Sequence, residues 1–407
     1  MLPTTTDTDI FTSSAPFADP TAWHAAVTPL RQKAAVVGLT ATGIEPVWAV
    51  LRHAEVLEVE RQPELFTNSP ACTVSQAHAV MIPDHAAPQM KTLVEMDGAE
   101  HLAHRLIVNK WFLPGSIRRL EQAIAERARE AIEIMAAHGG SCDFAQDVAL
   151  HYPLKVIMTL FGVPDVDFDL MLSLTQTLFA AQDPESTDDA QEAMIGFFEY
   201  FQVLADNRRA APTDDLASLI ANATVDGEPV DVLAAFGLYL IVATAGHDTT
   251  SSALAGGMEA LAGHPDELDA LRRDPALLPN ATDEIIRWVS PVKHFIRTAQ
   301  RDYELSGVPI AEGDRVLLSY PSANRDELVF DDPSAFVVSR PNADQHIAFG
   351  FGRHFCLGVH LARLEVRKFY ELLIPKLVHV EAAGPCVHLA SNLVSGPQHL
   401  PINYTLR

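Results

Sequence analysis

The stretch AFGFGRHFCLGVHLARLE, Ala348 to Glu365, places one cysteine among glycines and cations, directly before an amphipathic pattern. If the residues from Leu357 onward form a helix, Cys356 lies at its N-terminus, where free N–H groups and the helix dipole favour a thiolate. The flanking glycines permit tight turns and a close approach of the backbone to a flat ligand. The segment therefore predicts a thiolate loop that lies against a planar group.

Two alternatives exist for Cys356. A single cysteine in a reduced protein is usually a small core residue, and a cysteine beside a histidine can act as a nucleophile. A core cysteine needs neither the neighbouring cations nor the glycines, and glycines suit a planar ligand better than an acyl-enzyme site. We therefore favour ligand binding.

The composition excludes several classes of protein. The chain has 407 residues, 48% of them hydrophobic, which is enough to bury a large core. The N-terminus has no basic region followed by an apolar one, so we expect a cytoplasmic protein. The four cysteines, Cys72, Cys142, Cys356 and Cys386, lie far apart, which argues against a disulfide framework and against a zinc knuckle. A net charge of -24 disfavours nucleic acids and anionic membranes as partners.

Helical periodicity dominates the rest of the chain. The segment Ser116 to Gly140 repeats apolar residues on one face and ends in two glycines, which predicts a helix. The segment Asp302 to Arg325 alternates and turns, which predicts a small β-unit. Repeats and flexible linkers are absent from the sequence, so we expect one domain over residues 1–407 that acts as a monomer, with residues 1–20 loosely ordered. The predicted fold class is mainly α with small β-sheets.

A second informative stretch runs from Asp231 to His264, DVLAAFGLYLIVATAGHDTTSSALAGGMEALAGH. Its apolar run, Val232 to Gly246, is shorter than the roughly 18 residues of a membrane span, so it predicts a buried core helix. Asp248 and Thr249 are poor helix-interior residues, and a threonine hydroxyl can bond back to the preceding turn. We expect either a local distortion of the helix at this point or the end of the helix.

Three motifs resemble those of the cytochrome P450 monooxygenases. FGFGRHFCLG, Phe349 to Gly358, resembles the haem-binding loop of that family, in which the cysteine is the axial ligand of the haem iron. AGHDTT, Ala245 to Thr250, is similar to the oxygen-binding part of its long central helix, and EIIR, Glu284 to Arg287, is similar to its E-x-x-R element. The resemblance extends over essentially the whole chain. It implies a cytochrome P450 fold with haem b between the central helix and the Cys356 loop.

The resemblance also implies roles for individual residues. Asp248 would relay protons, and Thr249 would support oxygen activation. The residues implied to hold the haem, besides Cys356, are His101, Arg105, Arg297, His354, Phe349 and Gly350. Glu284, Arg287 and Arg340 would form a structural ion-pair network. A thiolate ligand favours O–O bond cleavage and hence attack on unactivated C–H bonds.

Electrons must come from another protein, because the chain has no dinucleotide-binding fingerprint and no fused flavin or iron–sulfur region. The resemblance implies a ferredoxin and an NAD(P)H-dependent ferredoxin reductase. The acidic chain becomes locally basic at Arg105, Lys110, Arg118 and Arg363, which suits an acidic ferredoxin.

The segments TAGHDTTSS, PVKHFIRTA and LSYPSANRDE resemble bacterial members of the family that oxidise terpineol-like and cymene-like compounds. This implies hydroxylation or epoxidation, with O2, of a small apolar substrate such as a monoterpenoid or an alkylaromatic. The implied pocket residues are Ile241, Val242, Ala245, Val292, Phe295 and Val394, with the loop between Asn68 and Met96. A sterol or fatty acyl hydroxylase is the alternative within the family. A non-catalytic haem sensor is the alternative outside it, although Asp248 and Thr249 together argue against a sensor.

Overall fold

The computed structural model describes residues 9–39, 47–80, 90–180 and 187–407, and most of these residues are helical. The helices are α1 (Asp9–Thr12), α2 (Pro20–Lys33), α3 (His53–Glu60), α4 (Val74–Val80), α5 (Gly98–Phe112), α6 (Pro114–Ala137), α7 (His151–Phe161), α8 (Phe168–Ala180), α9 (Thr187–Ala210), α10 (Leu216–Ala221), α11 (Val232–Gly263), α12 (Pro265–Arg273), α13 (Leu278–Val289), α14 (Tyr320–Ala323) and α15 (Val359–Leu373). The mainly helical class predicted from the sequence is confirmed.

Helix α6 is the amphipathic helix that the sequence predicted. Ile117, Ile124 and Ile132 on its apolar face are buried, and the helix packs against α7 and α15. The chain leaves the helix through Gly139 and Gly140, whose φ angles of 72° and 113° favour glycine.

Helix α11 runs without a break through the AGHDTT segment. Asp231 caps its first turn by accepting hydrogen bonds from Leu233 and Ala234. The Thr249 hydroxyl donates to the carbonyl of Ala245 at 2.7 Å, an interaction that bends helices. The alternative of a helix end at Asp248 and Thr249 is therefore wrong.

Among the described residues, α11 is the one helix with the length and composition of a membrane span, yet half of its most apolar window is buried inside the protein. It packs against α7, α13 and α15. Its apolar character thus serves the protein core, as the sequence predicted.

The strands of the described residues are short and form five small sheets. They are β1 (Val36–Leu39), β2 (Val47–Val50), β3 (Phe66–Thr67), β4 (Ser141–Asp143), β5 (Thr224–Val225), β6 (Glu228–Pro229), β7 (His294–Ala299), β8 (Tyr303–Leu305), β9 (Val308–Ile310), β10 (Arg315–Ser319), β11 (Leu377–Ala382), β12 (Val387–His388), β13 (Pro397–His399) and β14 (Pro401–Leu406).

The largest sheet has the strand order β1-β2-β10-β7-β3, and its pairs are antiparallel except for β2 with β10. The β-unit predicted over Asp302 to Arg325 corresponds to β8, β9 and β10, followed by the short helix α14. In the register of β7 with β10, Arg297 lies opposite Val316. The sheet therefore brings a buried arginine to the edge of the cavity described below.

Aromatic packing orders the start of the described chain. The rings of Phe11 and Phe17 lie 6.0 and 5.3 Å from that of Trp23, and all three side chains are buried. These aromatic side chains fill a core cluster together with residues of β1 and β2. Residues 1–8 lie outside the described residues.

Candidate active site

The Cys356 loop folds back tightly on itself. Gly350 and Gly352 have φ angles of 67° and 70°, and a Cβ on Gly352 would lie 2.5 Å from the carbonyl oxygen of Glu60. The amide of Cys356 donates to the carbonyl of Phe349 at 3.0 Å. Position 352 requires glycine because of its positive φ angle and because a Cβ would clash with Glu60. The resulting turn holds the backbone of Cys356 in place.

The thiol of Cys356 lies just before α15, which begins at Val359 and not at Leu357. The amide of Gly358 donates to the sulfur, and this bond and the nearby Arg105 and Arg363 lower its pKa, but burial outweighs them and the pKa is raised. The helix terminus alone therefore does not produce the thiolate that the sequence predicted. Coordination to a metal ion deprotonates a thiol outright.

A cavity lies between α11 and the Cys356 loop, with an empty volume of about 1440 Å³ that includes its opening to solvent. It is lined by most of the residues that the sequence singled out, namely Cys356, Phe349, Gly350, His101, Arg105, Arg297, His354, Thr249, Ile241, Val242, Ala245, Val292 and Phe295. Asp248 and Val394 are not part of this lining, although Val394 forms a β-bridge with Val292. In the Asn68 to Met96 loop, Asn68, Leu93 and Val94 line the cavity, and residues 81–89 lie outside the described residues.

One end of the cavity carries a group of basic side chains. The rings of His101 and His354 lie 4.2 Å apart. The pKa of His101 is lowered to about 4 and that of His354 to about 2. Burial is the largest cause in both cases, and nearby cations such as Arg105 add to it. Among the described residues, His101 Nδ1 and His354 Nε2 are buried without a hydrogen-bond partner.

This basic group fits the propionates of haem. Buried carboxylates need cationic and hydrogen-bonding partners. Neither His101 Nδ1 nor His354 Nε2 forms a hydrogen bond among the described residues, although Asp97 Oδ1 lies 3.9 Å from His354 Nε2. The guanidinium groups of Arg105 and Arg297 also line the cavity. The cysteine, the glycine loop and the basic group thus lie around one cavity large enough for a planar ligand.

Glu60 is a cavity residue that the sequence analysis missed. Its carboxylate accepts from the Tyr320 hydroxyl at 2.7 Å and lies 3.5 Å from Arg297. Burial raises its pKa to about 7, against the opposing effects of Arg297 and Tyr320. The spacing of residues along α3 could have pointed to Glu60, because Glu60 lies on the same buried helix face as His53 and Val56.

The side chain of Asp248 on α11 is 13% exposed and does not line the cavity. Burial raises its pKa to about 8, and its Oδ2 has no hydrogen-bond partner among the described residues. Its Oδ1 lies 3.7 Å from His247 Nδ1, while His247 Nε2 is 2.8 Å from the carbonyl oxygen of Leu150. Because a carbonyl only accepts, Nε2 carries the proton. Asp248 is therefore a carboxyl that holds a proton near neutral pH, one residue before a threonine that lines the cavity.

The structure brings Glu284, Arg287 and Arg340 together in the core. Arg287 donates to both oxygens of Glu284, at 2.6 and 2.7 Å. Arg340 Nε lies 3.1 Å from both of these oxygens, and all three side chains are buried. Burial makes such a network costly to break, because removing one partner leaves a buried charge uncompensated.

The four basic residues of the predicted partner face differ in their surroundings. Lys110 and Arg118 are exposed, while Arg105 donates to the carbonyl of Phe355 at 2.7 Å. Arg363 forms an ion pair with Asp283 at 2.7 Å, and its guanidinium stacks on the ring of Phe349. Lys110 and Arg118 are therefore the more available cations of this set.

Comparison with known proteins agrees with this geometry. The family profile described as Cytochrome P450 matches residues 185–380. The chain is 42% identical over 382 residues to Cytochrome P450-terp of a Pseudomonas species, and the match covers 89% of each protein. It is 34% identical to a steroid C26-monooxygenase of Mycolicibacterium smegmatis, over 89% of this chain and 84% of the other. The crystal structure of CYP108D1 from Novosphingobium aromaticivorans superimposes with a TM-score of 0.89 at 38% identity, over 98% of each chain.

These matches define the class of protein. The chain belongs to the cytochrome P450 family and has the fold of that family. It is a monooxygenase, and as a member of this family it binds haem b through a cysteine thiolate. The family, fold class and cofactor predicted from the sequence are confirmed.

Proposed function

We propose that this cytochrome P450 hydroxylates or epoxidises a small apolar molecule, such as a monoterpenoid or an alkylaromatic. The observation that carries the proposal is the apolar stretch of α11, Ile241, Val242 and Ala245, which faces the cavity beside Thr249. Val292 and Phe295 extend this apolar surface. The 42% identity to Cytochrome P450-terp supports a terpene-like substrate.

Cys356 would ligate the haem iron, and His101, Arg105, Arg297 and His354 would hold the propionates. The bound haem supplies the oxidant that transfers one atom of O2 into the substrate. Glu284, Arg287 and Arg340 would keep the core below the cysteine loop rigid.

Thr249 and Asp248 would control the protons. The Thr249 hydroxyl donates a hydrogen bond to the carbonyl oxygen of Ala245. The lone pairs of the hydroxyl oxygen are therefore available to accept a hydrogen bond from a group in the cavity. Asp248 would hold a proton and release it along α11, since burial raises its pKa to about 8, close to neutral pH. A sensor would need neither group.

Electrons would come from a ferredoxin, reduced by an NAD(P)H-dependent reductase, in the cytoplasm. The exposed Lys110 and Arg118 support a docking surface for an acidic partner. Because Asp283 neutralises Arg363, we assign Arg363 a smaller part in docking than its sequence position implied. Arg105 faces both the cavity and the loop, so it would serve the haem more than the partner.

The relative named as a steroid C26-monooxygenase favours a second candidate, a sterol or branched lipid substrate. A panel of monoterpenes, alkylbenzenes, steroids and fatty acids separates the two. The measurements are the substrate-induced change of the haem spin state and the product formed per NAD(P)H with added ferredoxin and reductase. Product from the terpene or alkylbenzene group alone supports the proposal. Product from steroids alone refutes the proposal in favour of the second candidate. If haem binds normally but no group yields product, the protein is not a monooxygenase of these substrates.

A further inference from the structure

Three metal-ligating side chains meet outside the cavity lining, where α11 and β12 come together. Glu259 belongs to α11, Cys386 directly precedes β12, and His388 belongs to β12. One ligand atom of each lies within 4.8 Å of the other two. None of them lines the haem cavity or takes part in the chemistry described above. We propose that Glu259, Cys386 and His388 form a zinc site.

The distances suit zinc with little rearrangement. Zinc binds thiolate, imidazole and carboxylate ligands at roughly 2.0–2.3 Å, which places tetrahedral ligand atoms roughly 3.3–3.8 Å apart. His388 Nε2 lies 3.1 Å from Glu259 Oε1. The sulfur of Cys386 lies within 4.8 Å of both of these ligand atoms. Three protein ligands leave a fourth position for water.

The charge of the surroundings favours a cation. Glu259 contributes one carboxylate, and the negative charge of Asp143 also acts on Cys386. Asp143 itself pairs with His399 at 2.8 Å on the neighbouring strand β13. Without metal, the Cys386 thiol carries its proton at neutral pH. Zinc would replace that proton, forming a Zn–S bond while the proton leaves to solvent, with no change in oxidation state.

The site is both accessible and well placed to act as a cross-link. The side chain of Glu259 is 36% exposed and that of His388 is 14% exposed, so an ion can reach them from solvent. Glu259 lies near the C-terminal end of α11, whereas His388 belongs to a hairpin with β13. A bound zinc would therefore tie this hairpin to the central helix.

The test uses the full-length haem-loaded protein, freed of any affinity tag and treated with a chelator that leaves the haem in place. Calorimetric titration with Zn²⁺ should show one equivalent bound at micromolar affinity or tighter. Repeating it in buffers of different ionisation enthalpy should show release of about one proton per zinc, from the Cys386 thiol. The midpoint of thermal unfolding should rise with added zinc.

Two variants and a matched control decide the assignment. Cys386→Ser and His388→Gln should each weaken zinc binding by roughly tenfold or more, and Cys386→Ser should abolish the proton release. His379→Gln alters an exposed histidine that pairs with Glu381 at 3.3 Å but has no cysteine beside it, so it should bind zinc like the wild type. The carbon monoxide spectrum of the reduced haem checks that each variant is folded.

The proposal is overturned if the wild type binds no zinc, or if His388→Gln and Cys386→Ser bind it as tightly as the wild type. An equal loss of affinity in His379→Gln would also overturn it, because the binding would then reflect exposed histidines in general. If Cys386→Ser does not fold, His388→Gln carries the same decision.

Discussion

The wall of the cavity formed by the cysteine loop and α5 carries charged and basic groups, whereas the wall formed by α11 is almost wholly apolar. His101, Arg105 and His354 belong to the first wall, and Ile241 and Ala245 belong to the second. Burial drives the titratable groups of both regions toward neutrality, lowering the pKa of the histidines and raising that of Asp248 on α11. Arg105 of the first wall and Arg297 of β7 add guanidinium groups, which stay charged.

The difference shows how one cavity can serve two ligands. Guanidinium groups require an anion, so the first wall suits a cofactor with carboxylates. The α11 wall has no charged side chain in the cavity lining. A charged substrate would lose its hydration there without gaining an ionic partner, so this wall suits an uncharged molecule.

Replacing Cys356 should have the largest effect. Cys356→His should abolish the red-shifted Soret band that thiolate ligation gives the reduced carbon monoxide complex, because imidazole is a poorer electron donor to iron than thiolate. The measurement is the absorption spectrum under carbon monoxide. Cys142→Ala, at a cysteine outside the cavity lining, should keep that band. A wild-type spectrum typical of histidine ligation would contradict the assignment.

Asp248→Asn should slow turnover by roughly a hundredfold, because the amide cannot release a proton. Haem content and substrate binding should persist, since Asp248 does not line the cavity. The measurement is steady-state NAD(P)H consumption with saturating ferredoxin. Turnover at the wild-type rate would show that protons reach the haem by another route.

Thr249→Ala should change the products more than the rate. Alanine is the better helix former, so the free energy of unfolding should change by only about 0.5 kcal/mol. NAD(P)H consumption should continue, with most of it ending in hydrogen peroxide and little in organic product. Thr249→Val keeps the volume without the hydroxyl and should behave like Thr249→Ala. If both variants couple as tightly as the wild type, the role given to this hydroxyl is wrong.

Glu60→Gln tests, through the pH dependence of stability, the buried carboxyl group beside Arg297. Burial raises the pKa of Glu60 from 4.5 to about 7. Between pH 4.5 and pH 7, Glu60 is therefore protonated in the folded protein and ionised in the unfolded chain. Wild-type stability should therefore fall as pH rises through this window, by up to about 1.4 kcal/mol per unit. Glu60→Gln removes that dependence, so its stability relative to wild type should rise from pH 5 to pH 7 and level off above. Urea unfolding at several pH values measures this, and a difference independent of pH would contradict it.

Changes on the partner surface should be the smallest. Lys110→Gln and Arg118→Gln should each weaken ferredoxin binding by roughly twofold to fivefold at low salt and less at high salt, because exposed charges are screened. Arg363→Gln should weaken it less, since Asp283 already neutralises that side chain. The measurement is the ferredoxin concentration that gives half-maximal first-electron transfer. A larger effect of Arg363→Gln than of the other two would reverse this order.

Motifs of neighbouring residues were the most predictable part of the site. The glycine turns before Cys356 and the register of Thr249 with Ala245 depend on residues within ten positions of each other, so the sequence could predict them. The raised pKa of Cys356 could not be predicted in this way, because it depends on how deeply the thiol is buried. The continuity of α11 through Asp248 also needed the structure, because packing against neighbouring helices overrides weak helix propensity.

The sequence by itself determined the helical class, the cysteine loop, the central helix and the family resemblance, because each is encoded in contiguous residues with a fixed spacing. The tertiary structure alone decided that Glu60 meets Arg297, that Asp283 neutralises Arg363, and that Cys386 lies beside Glu259. The physical reason is that burial and charge pairing depend on the distance between atoms in space. Residues 80 or more positions apart, as in these three pairs, come within that distance only when the core packs.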